Sequence, residues 1–209
     1  MKNENEEIAL KVILLGESGV GKTSLINAAI GMDFDSKFTP TISSSYVIKK
    51  FIKNNKTYNL NIWDTEGQEI YKSCTKLFIK NTKIVIFVYS IDNKESFENL
   101  KSYWVATKKE ILGDETIYGL VGNKFDLFLK EQVQEIDASN YAEEIGAKFS
   151  LASAKTNKEG ISDFLELLLD DYLGNKKQID INTSFELKKE NYNKRKTKLK
   201  CCQEIFFVF

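Results

Sequence analysis

The chain of 209 residues contains no histidine. It therefore offers no His-based catalytic triad and no His-ligated metal. Arginine is nearly absent as well, the single one being Arg195 near the end of the chain. The three cysteines, Cys74, Cys201 and Cys202, show neither metal-ligand spacing nor a disulfide framework, so a cytosolic chain is expected. Met1 to Glu7 is polar and acidic rather than basic then apolar, and no secretory signal peptide is expected there. No apolar run approaches the roughly 20 residues of a membrane span. The formal net charge is zero, which argues against a dedicated nucleic-acid binder. What remains is a chain of 42% hydrophobic residues, enough to bury one sizeable core in one domain. Its charge is unevenly spread. Residues 174–209 hold nine Lys or Arg against four acids, a net of +5, which leaves −5 for residues 1–173.

Within that neutral frame one octapeptide stands out. Gly16 to Thr23 reads Gly-Glu-Ser-Gly-Val-Gly-Lys-Thr and matches the phosphate-binding Gly-x-x-x-x-Gly-Lys-Ser/Thr pattern in full. An apolar β-branched run, Ile8 to Leu15, reads as a buried strand feeding it, and a stretch of helix formers, Thr23 to Ile30, follows. Glycines at 16, 19 and 21 let the backbone turn its N–H groups around a phosphate chain, and the helix N-terminus adds partial positive charge. Lys22 would reach the β- and γ-phosphates, and the Thr23 hydroxyl would bind Mg²⁺. An ordinary Gly-rich turn would not need both flanks.

A second motif names the base. Asn123-Lys124-Phe125-Asp126 follows another strand-like run, Ile117 to Gly122. A carboxylate such as Asp126 accepts from both N1–H and the exocyclic amine of guanine, an arrangement adenine does not offer. Adenine would leave that carboxylate buried and unpaired, at a cost of about 1–3 kcal/mol or more. Lys124 would lay its methylene stem over the base, and Asn123 would tie this loop to the phosphate loop. Ser153-Ala154-Lys155, after a further strand-like stretch at 147–151, fits a second guanine loop that offers a backbone N–H to O6.

Along the chain, strands are expected near 8–15, 45–53, 57–64, 83–90, 116–122 and 147–152, and helices near 22–30, 70–80, 94–112, 135–145 and 160–173. The run Lys83 to Tyr89 has too few polar breaks for a one-sided strand and should be central. Asn54-Asn55-Lys56 reads as a hairpin giving one antiparallel edge strand. The fold expected is α/β: a doubly wound, six-stranded, mostly parallel sheet with helices on both faces. Its ligand loops lie at the carboxyl ends of the strands. Residues 1–7 form a short extension, 8–173 the domain, and 174–209 a flexible basic tail.

In these motifs the chain resembles a small GTPase of the Ras superfamily, and within it most closely the Rab branch, across residues 8–173. Trp63-Asp64-Thr65-Glu66-Gly67-Gln68-Glu69 is similar to the Rab form of the second switch, and Leu120-Val121-Gly122-Asn123-Lys124 is Rab-like too. The resemblance implies a P-loop GTPase (G) domain that hydrolyses GTP to GDP and phosphate with Mg²⁺ and works as a switch in vesicular or membrane trafficking. It places Gly16, Ser18, Gly19, Val20, Gly21, Lys22, Thr23, Ser24, Gly67, Asn123, Lys124, Asp126, Ser153, Ala154 and Lys155 around the nucleotide. Phe34 would stand edge-on to the guanine. Thr23 and Thr41 would bind the metal directly, and Asp64 through water. Gln68 would orient the attacking water, with Lys22 and Thr41 completing the catalytic group. The domain carries no arginine finger, so slow intrinsic hydrolysis is expected, with an activating protein supplying the cation. Further partners implied are an exchange factor and effectors at the switch regions. The chain is expected to be a monomer and no nucleic-acid binder. The expected location is cytoplasmic, peripheral on the cytosolic face of an endomembrane when GTP is bound.

Several positions depart from the Rab pattern. Glu66 stands where a small residue is usual, directly before the γ-phosphate-contacting Gly67, and a carboxylate there would repel phosphate. This keeps open an alternative, a guanine-nucleotide-binding interaction module with weak hydrolysis; the other reading is a Glu66 side chain turned to solvent. Ser43-Ser44-Ser45 replaces the usual effector-facing stretch. Tyr46, Trp63 and Phe78 match a Rab aromatic patch in ring character, though core packing would explain the rings equally. In the tail, Lys194 to Lys200 puts five cations in seven residues before Cys201-Cys202, a resemblance to a doubly prenylated Rab end. Seven residues, Gln203 to Phe209, follow. Rival readings are membrane insertion or trimming of the apolar Ile205 to Phe209, or an unlipidated solvated tail.

Overall fold

Every position of the strand Ile84–Ser90 (β4) is buried, as its unbroken apolar run requires of a strand with neighbours on both edges and layers on both faces. The structure, a computed structural model, describes residues 6–35, 45–64, 80–101 and 115–176. The helix expected near 70–80, and the part of the one near 94–112 beyond residue 101, lie outside the described residues. Contacts separate the chain into Met1–Tyr172 and Leu173–Phe209, and the fold below is that of the first unit.

The strands are β1 Glu7–Leu15, β2 Ser45–Lys53, β3 Lys56–Asp64, β4, β5 Ile117–Asn123 and β6 Lys148–Leu151. They form one sheet in the order β2-β3-β1-β4-β5-β6. β1 pairs in parallel with β3 and β4, and β4, β5 and β6 continue in parallel. β2 is antiparallel to β3 and forms the edge. Lys53 pairs with Lys56, and Asn54 and Asn55 turn the hairpin with φ of 51° and 60°. Two consecutive positive φ values are what a type I′ turn demands, and asparagine tolerates them.

Alternation along the strands builds two cores. On one face Ile13, Leu15, Val85, Phe87, Tyr89 and Leu120 pack with Phe97 and Leu100 of a helix over residues 94–101 (α2). The same cluster holds Ala138, Tyr141 and Ala142 of α3, Glu135–Glu144. On the other face a β-carbon built on Gly119 would come within 2.9 Å of Phe164 and 3.1 Å of Leu168, so the helix over 158–176 (α4) lies close against β5 there. α1, Lys22–Ala29, packs on β3. Fully burying each such aliphatic or aromatic side chain contributes about 1.5–3 kcal/mol.

Because β1, β3, β5 and β6 all run the same way, their carboxyl ends share one edge of the sheet. The octapeptide, Asp64, the Asn123 loop and the Ser153 loop leave from that edge, where an open α/β sheet holds its ligand.

Candidate functional site

The octapeptide turns on two glycines where a side chain would be obstructed or strained. A β-carbon on Gly16 would lie 2.1 Å from the Val88 carbonyl oxygen, so the loop rests directly on the end of β4. Gly21 has φ +95°, and a β-carbon there would meet the Asn123 side-chain nitrogen at 2.4 Å. Gly21 is also the N-cap of α1, which has no side-chain cap and no acidic residue in its first turn. The helix's own first turn thus supplies no negative charge to the partial positive charge of that end, which suits an anion. Val20 is buried beneath the loop while Ser18 and Gly19 are exposed, and Ser24, the third residue of the helix, is half-buried.

Lys22 crosses under this loop. Its ammonium donates to the carbonyl oxygens of Gly16 at 2.8 Å and Glu17 at 2.9 Å. Burial pushes its pKa down to about 8, with Asp64 and Glu17 pulling it back up. Thr23 Oγ1 donates to Asp64 Oδ2 at 2.7 Å, joining the start of α1 to the end of β3. A hydroxyl and a carboxylate oxygen meeting beside a phosphate loop are the hard donors that Mg²⁺ takes.

The second group of residues is tied to the first through Asn123. Its side-chain amide donates to the Val20 carbonyl at 2.8 Å and to the Gly21 carbonyl at 3.4 Å. Lys124, half-buried, turns the chain with φ 63°. A non-glycine residue in this left-handed region costs on the order of 1 kcal/mol, and the turn sends Asn123 and Asp126 to different partners. Asp126 lies in a 3₁₀ segment, Phe125–Lys130, that kinks at Leu127, and its Oδ1 accepts from Ser153 Oγ at 2.6 Å. The Ser153 hydroxyl oxygen in turn accepts from the Thr156 N–H at 3.1 Å. Backbone bonds lock the two base loops together, from Ala152 N–H to Gly122 O at 2.9 Å and from Phe125 N–H to Ala152 O at 3.0 Å. Ser153 and Ala154 are buried and Lys155 is exposed.

Phe34, five residues after the end of α1, is 41% exposed. Tyr46 and Trp63 stack with ring centroids 4.9 Å apart. Tyr46, on the edge strand β2, is 51% exposed, while Trp63 is half-buried and packs against the core cluster, so core packing accounts for the second ring but not the first. Thr41, Glu66, Gly67, Gln68, Phe78, Cys201 and Cys202 lie outside the described residues.

Two contacts at this edge escaped the sequence reading. Asn99 of α2 donates to Glu17 Oε1 at 2.6 Å, holding the loop's own carboxylate. Lys158, at the start of α4, pairs with Asp33 beside Phe34. Both join residues far apart in the chain, and no local pattern announces them.

A family model described as "Ras: Ras family" matches residues 11–173. The Ras-related protein Rab-21 of Homo sapiens is 40% identical over 160 residues, covering 76% of this chain and 70% of that protein. RabC of Dictyostelium discoideum is 38% identical over 169 residues, covering 79% and 85%. Rab-22A of Canis lupus familiaris is 36% identical over 146 residues, covering 70% and 75%.

Proposed function

Since the chain belongs to the Ras family and is Rab-like within it, we propose that the residues gathered at the carboxyl edge of the sheet are its GTP site. The protein is a small GTPase that binds GTP and GDP, hydrolyses GTP to GDP and phosphate, and acts in membrane trafficking. The alternative of a weakly hydrolysing interaction module is not favoured by this membership. The observation that carries the site assignment is Asn123, whose amide bridges from the base loop to the phosphate loop at 2.8 Å. A single ligand with a guanine at one end and phosphates at the other would need the two loops joined in that way.

In this reading Lys22 and the N–H groups of Gly19 to Ser24 hold the phosphates. Asp126, braced by Ser153, reads the guanine, Lys124 and Phe34 flank the base, and Ala154 with Lys155 completes its edge. Thr23 and Thr41 would hold Mg²⁺ directly and Asp64 through water. When bound, the ion neutralises charge on the phosphates. Gln68 orients the attacking water and Gly67 faces the γ-phosphate. Arg195 is the only arginine of the sequence and stands outside residues 8–173, so the domain lacks the cation that related GTPases use for about 10³–10⁵-fold acceleration. An activating protein supplies it, an exchange factor empties the site, and effectors read the switch regions together with the exposed Tyr46 ring.

The tail beyond residue 176 serves as membrane anchor, with lipid on Cys201 and Cys202 and the basic stretch against anionic headgroups. No described helix is long and apolar enough to cross a membrane, and a peripheral place on the cytosolic face of an endomembrane follows from that anchor. Single-turnover hydrolysis of GTP by the purified chain tests the catalytic reading. The expected rate is on the order of 10⁻⁴–10⁻² s⁻¹, rising at least a hundredfold with an arginine-supplying activating protein. Fast turnover by the chain alone would overturn it.

A further inference from the structure

The proposed base pocket is lined by two segments far apart in the sequence. One is the segment after α1, where Gly31 turns the chain with φ +86° and Asp33 leads into Phe34. The other is the loop Ser153-Ala154-Lys155, three residues before α4 begins at Lys158. Asp33 Oδ1 accepts a hydrogen bond from Lys158 Nζ across 125 residues of sequence. The pair therefore ties the backbone beside Phe34 to the helix that starts beside the second base loop.

We propose that the Asp33–Lys158 ion pair is a brace across the guanine side of the site and that it slows nucleotide release. The proposal rests on the reading of Asp126, Ser153 and Phe34 as the base pocket. A bound guanine leaves by separating from the ring on one side and the Ser153 loop on the other. With the pair formed, the two walls move apart only after a charge-assisted hydrogen bond has been stretched. Neither partner belongs to the phosphate loop: Asp33 follows α1 and Lys158 opens α4. The brace should thus act on release and leave the chemical step alone. Lys158 also holds the Asp33 carboxyl below the usual carboxylate range, so the pair stays charged at neutral pH.

Exposure sets the size of the effect. The Asp33 side chain is 98% exposed and that of Lys158 is 35% exposed. Exposed pairs are worth little, and their loss corresponds to roughly a 1.5- to 5-fold change in a rate or equilibrium. Salt should weaken the pair, since the Debye length shrinks from about 30 Å at 0.01 M to about 3 Å at 1 M.

The test is release of a fluorescent GDP analogue from the full chain, chased with excess unlabelled GDP at low and at high salt. Wild-type release should quicken with salt. Asp33→Lys and Lys158→Glu should each release roughly 1.5- to 5-fold faster at low salt and lose the salt response. The double variant, with the charges exchanged, should return to slow, salt-sensitive release. Single-turnover GTP hydrolysis should be the same in all four proteins, a split that a merely structural role would not give. Single variants that release at the wild-type rate, or a double variant as fast as the singles, would overturn the brace. If a variant fails to fold, salt-insensitive release by the wild type would overturn it alone. A wild-type chain that binds no GDP would overturn the pocket reading and the brace with it.

Discussion

Lys22 carries a proton that its surroundings hold only weakly until phosphate arrives. Buried against two carbonyls, its ammonium has a pKa of about 8 against an ordinary 10.5. Between those values the unfolded chain binds more protons at this group than the folded, nucleotide-free one. Through this lysine, stability of the empty protein therefore rises as pH climbs from about 8 to 10.5. A bound polyphosphate reverses the shift, because opposite charge favours the ammonium. Nucleotide binding at about pH 9 should then take up most of one proton, and affinity should fall as pH rises through 8. Calorimetry in two buffers of different ionisation enthalpy reads the uptake directly; identical heats at that pH would refute it. Ser153 offers a second residue-scale test. Its hydroxyl donates to Asp126 at 2.6 Å while accepting from Thr156. Ser153→Ala should cost about 1–3 kcal/mol of guanine-nucleotide affinity, because a carboxylate loses a charge-assisted partner. Unchanged GDP affinity would remove Ser153 from the site. The types and order of Lys22, Asn123, Asp126 and Ser153 were legible in the sequence, since each sits in a short local pattern. The Ser153–Asp126 bond was not, because it joins two motifs through the fold.

Between elements, the glycine at the start of α1 decides how closely the base loop can approach. At Gly21 a methyl would strike the Asn123 amide at 2.4 Å and would have to be carried at φ +95°. Gly21→Ala should therefore displace Asn123 from the phosphate loop and pay strain of about 1–3 kcal/mol. Nucleotide release should accelerate by an order of magnitude or more, measured with the same fluorescent GDP analogue. A Gly21→Ala protein that holds GDP as tightly as wild type would show that the two loops are not coupled there. Element boundaries followed the sequence within a residue or two for most strands, because apolar runs and the Asn54-Asn55 turn mark them chemically. β4 is central for the reason its composition implied. Two details were hidden. α4 runs over 158–176 rather than 160–173, taking in the first residues of the expected tail, and Phe125–Lys130 forms a 3₁₀ segment where the pattern marks only a loop motif. That helix depends on Lys124 turning through φ 63°, a conformation which lysine does not advertise. It is held instead by the backbone bond from Phe125 to Ala152.

At the scale of the whole molecule the site is a seam. The phosphate loop leaves β1 in the middle of the sheet, while the base loops leave β5 and β6 at its far side. β4 alone stands between them, and Asn123 bridges over its end to Val20. A ligand bound to both loops joins the two sides more strongly than Asn123 can, so its removal should loosen more than the residues it touches. Binding to the folded state alone stabilises by about 2.7 kcal/mol when ligand is at a hundred times its Kd. For a domain of this size that is a rise of roughly 5–11 °C in Tm. Stripping GDP with a chelator, which also withdraws any Mg²⁺ from Thr23 and Asp64, should lower Tm by about that amount. Amide hydrogen exchange gives the more discriminating reading. Protection should fall together across residues 16–23, 122–127 and 152–156. The β2–β3 hairpin, at the opposite edge and closed by its own Asn54-Asn55 turn, should keep its protection through residues 48–60. Loss confined to residues 16–23 would mean that the phosphate loop binds its ligand without recruiting the base loops, and the seam would not exist. Loss spread evenly through the hairpin as well would mean that the domain melts as one unit, with no special role for the Asn123 bridge.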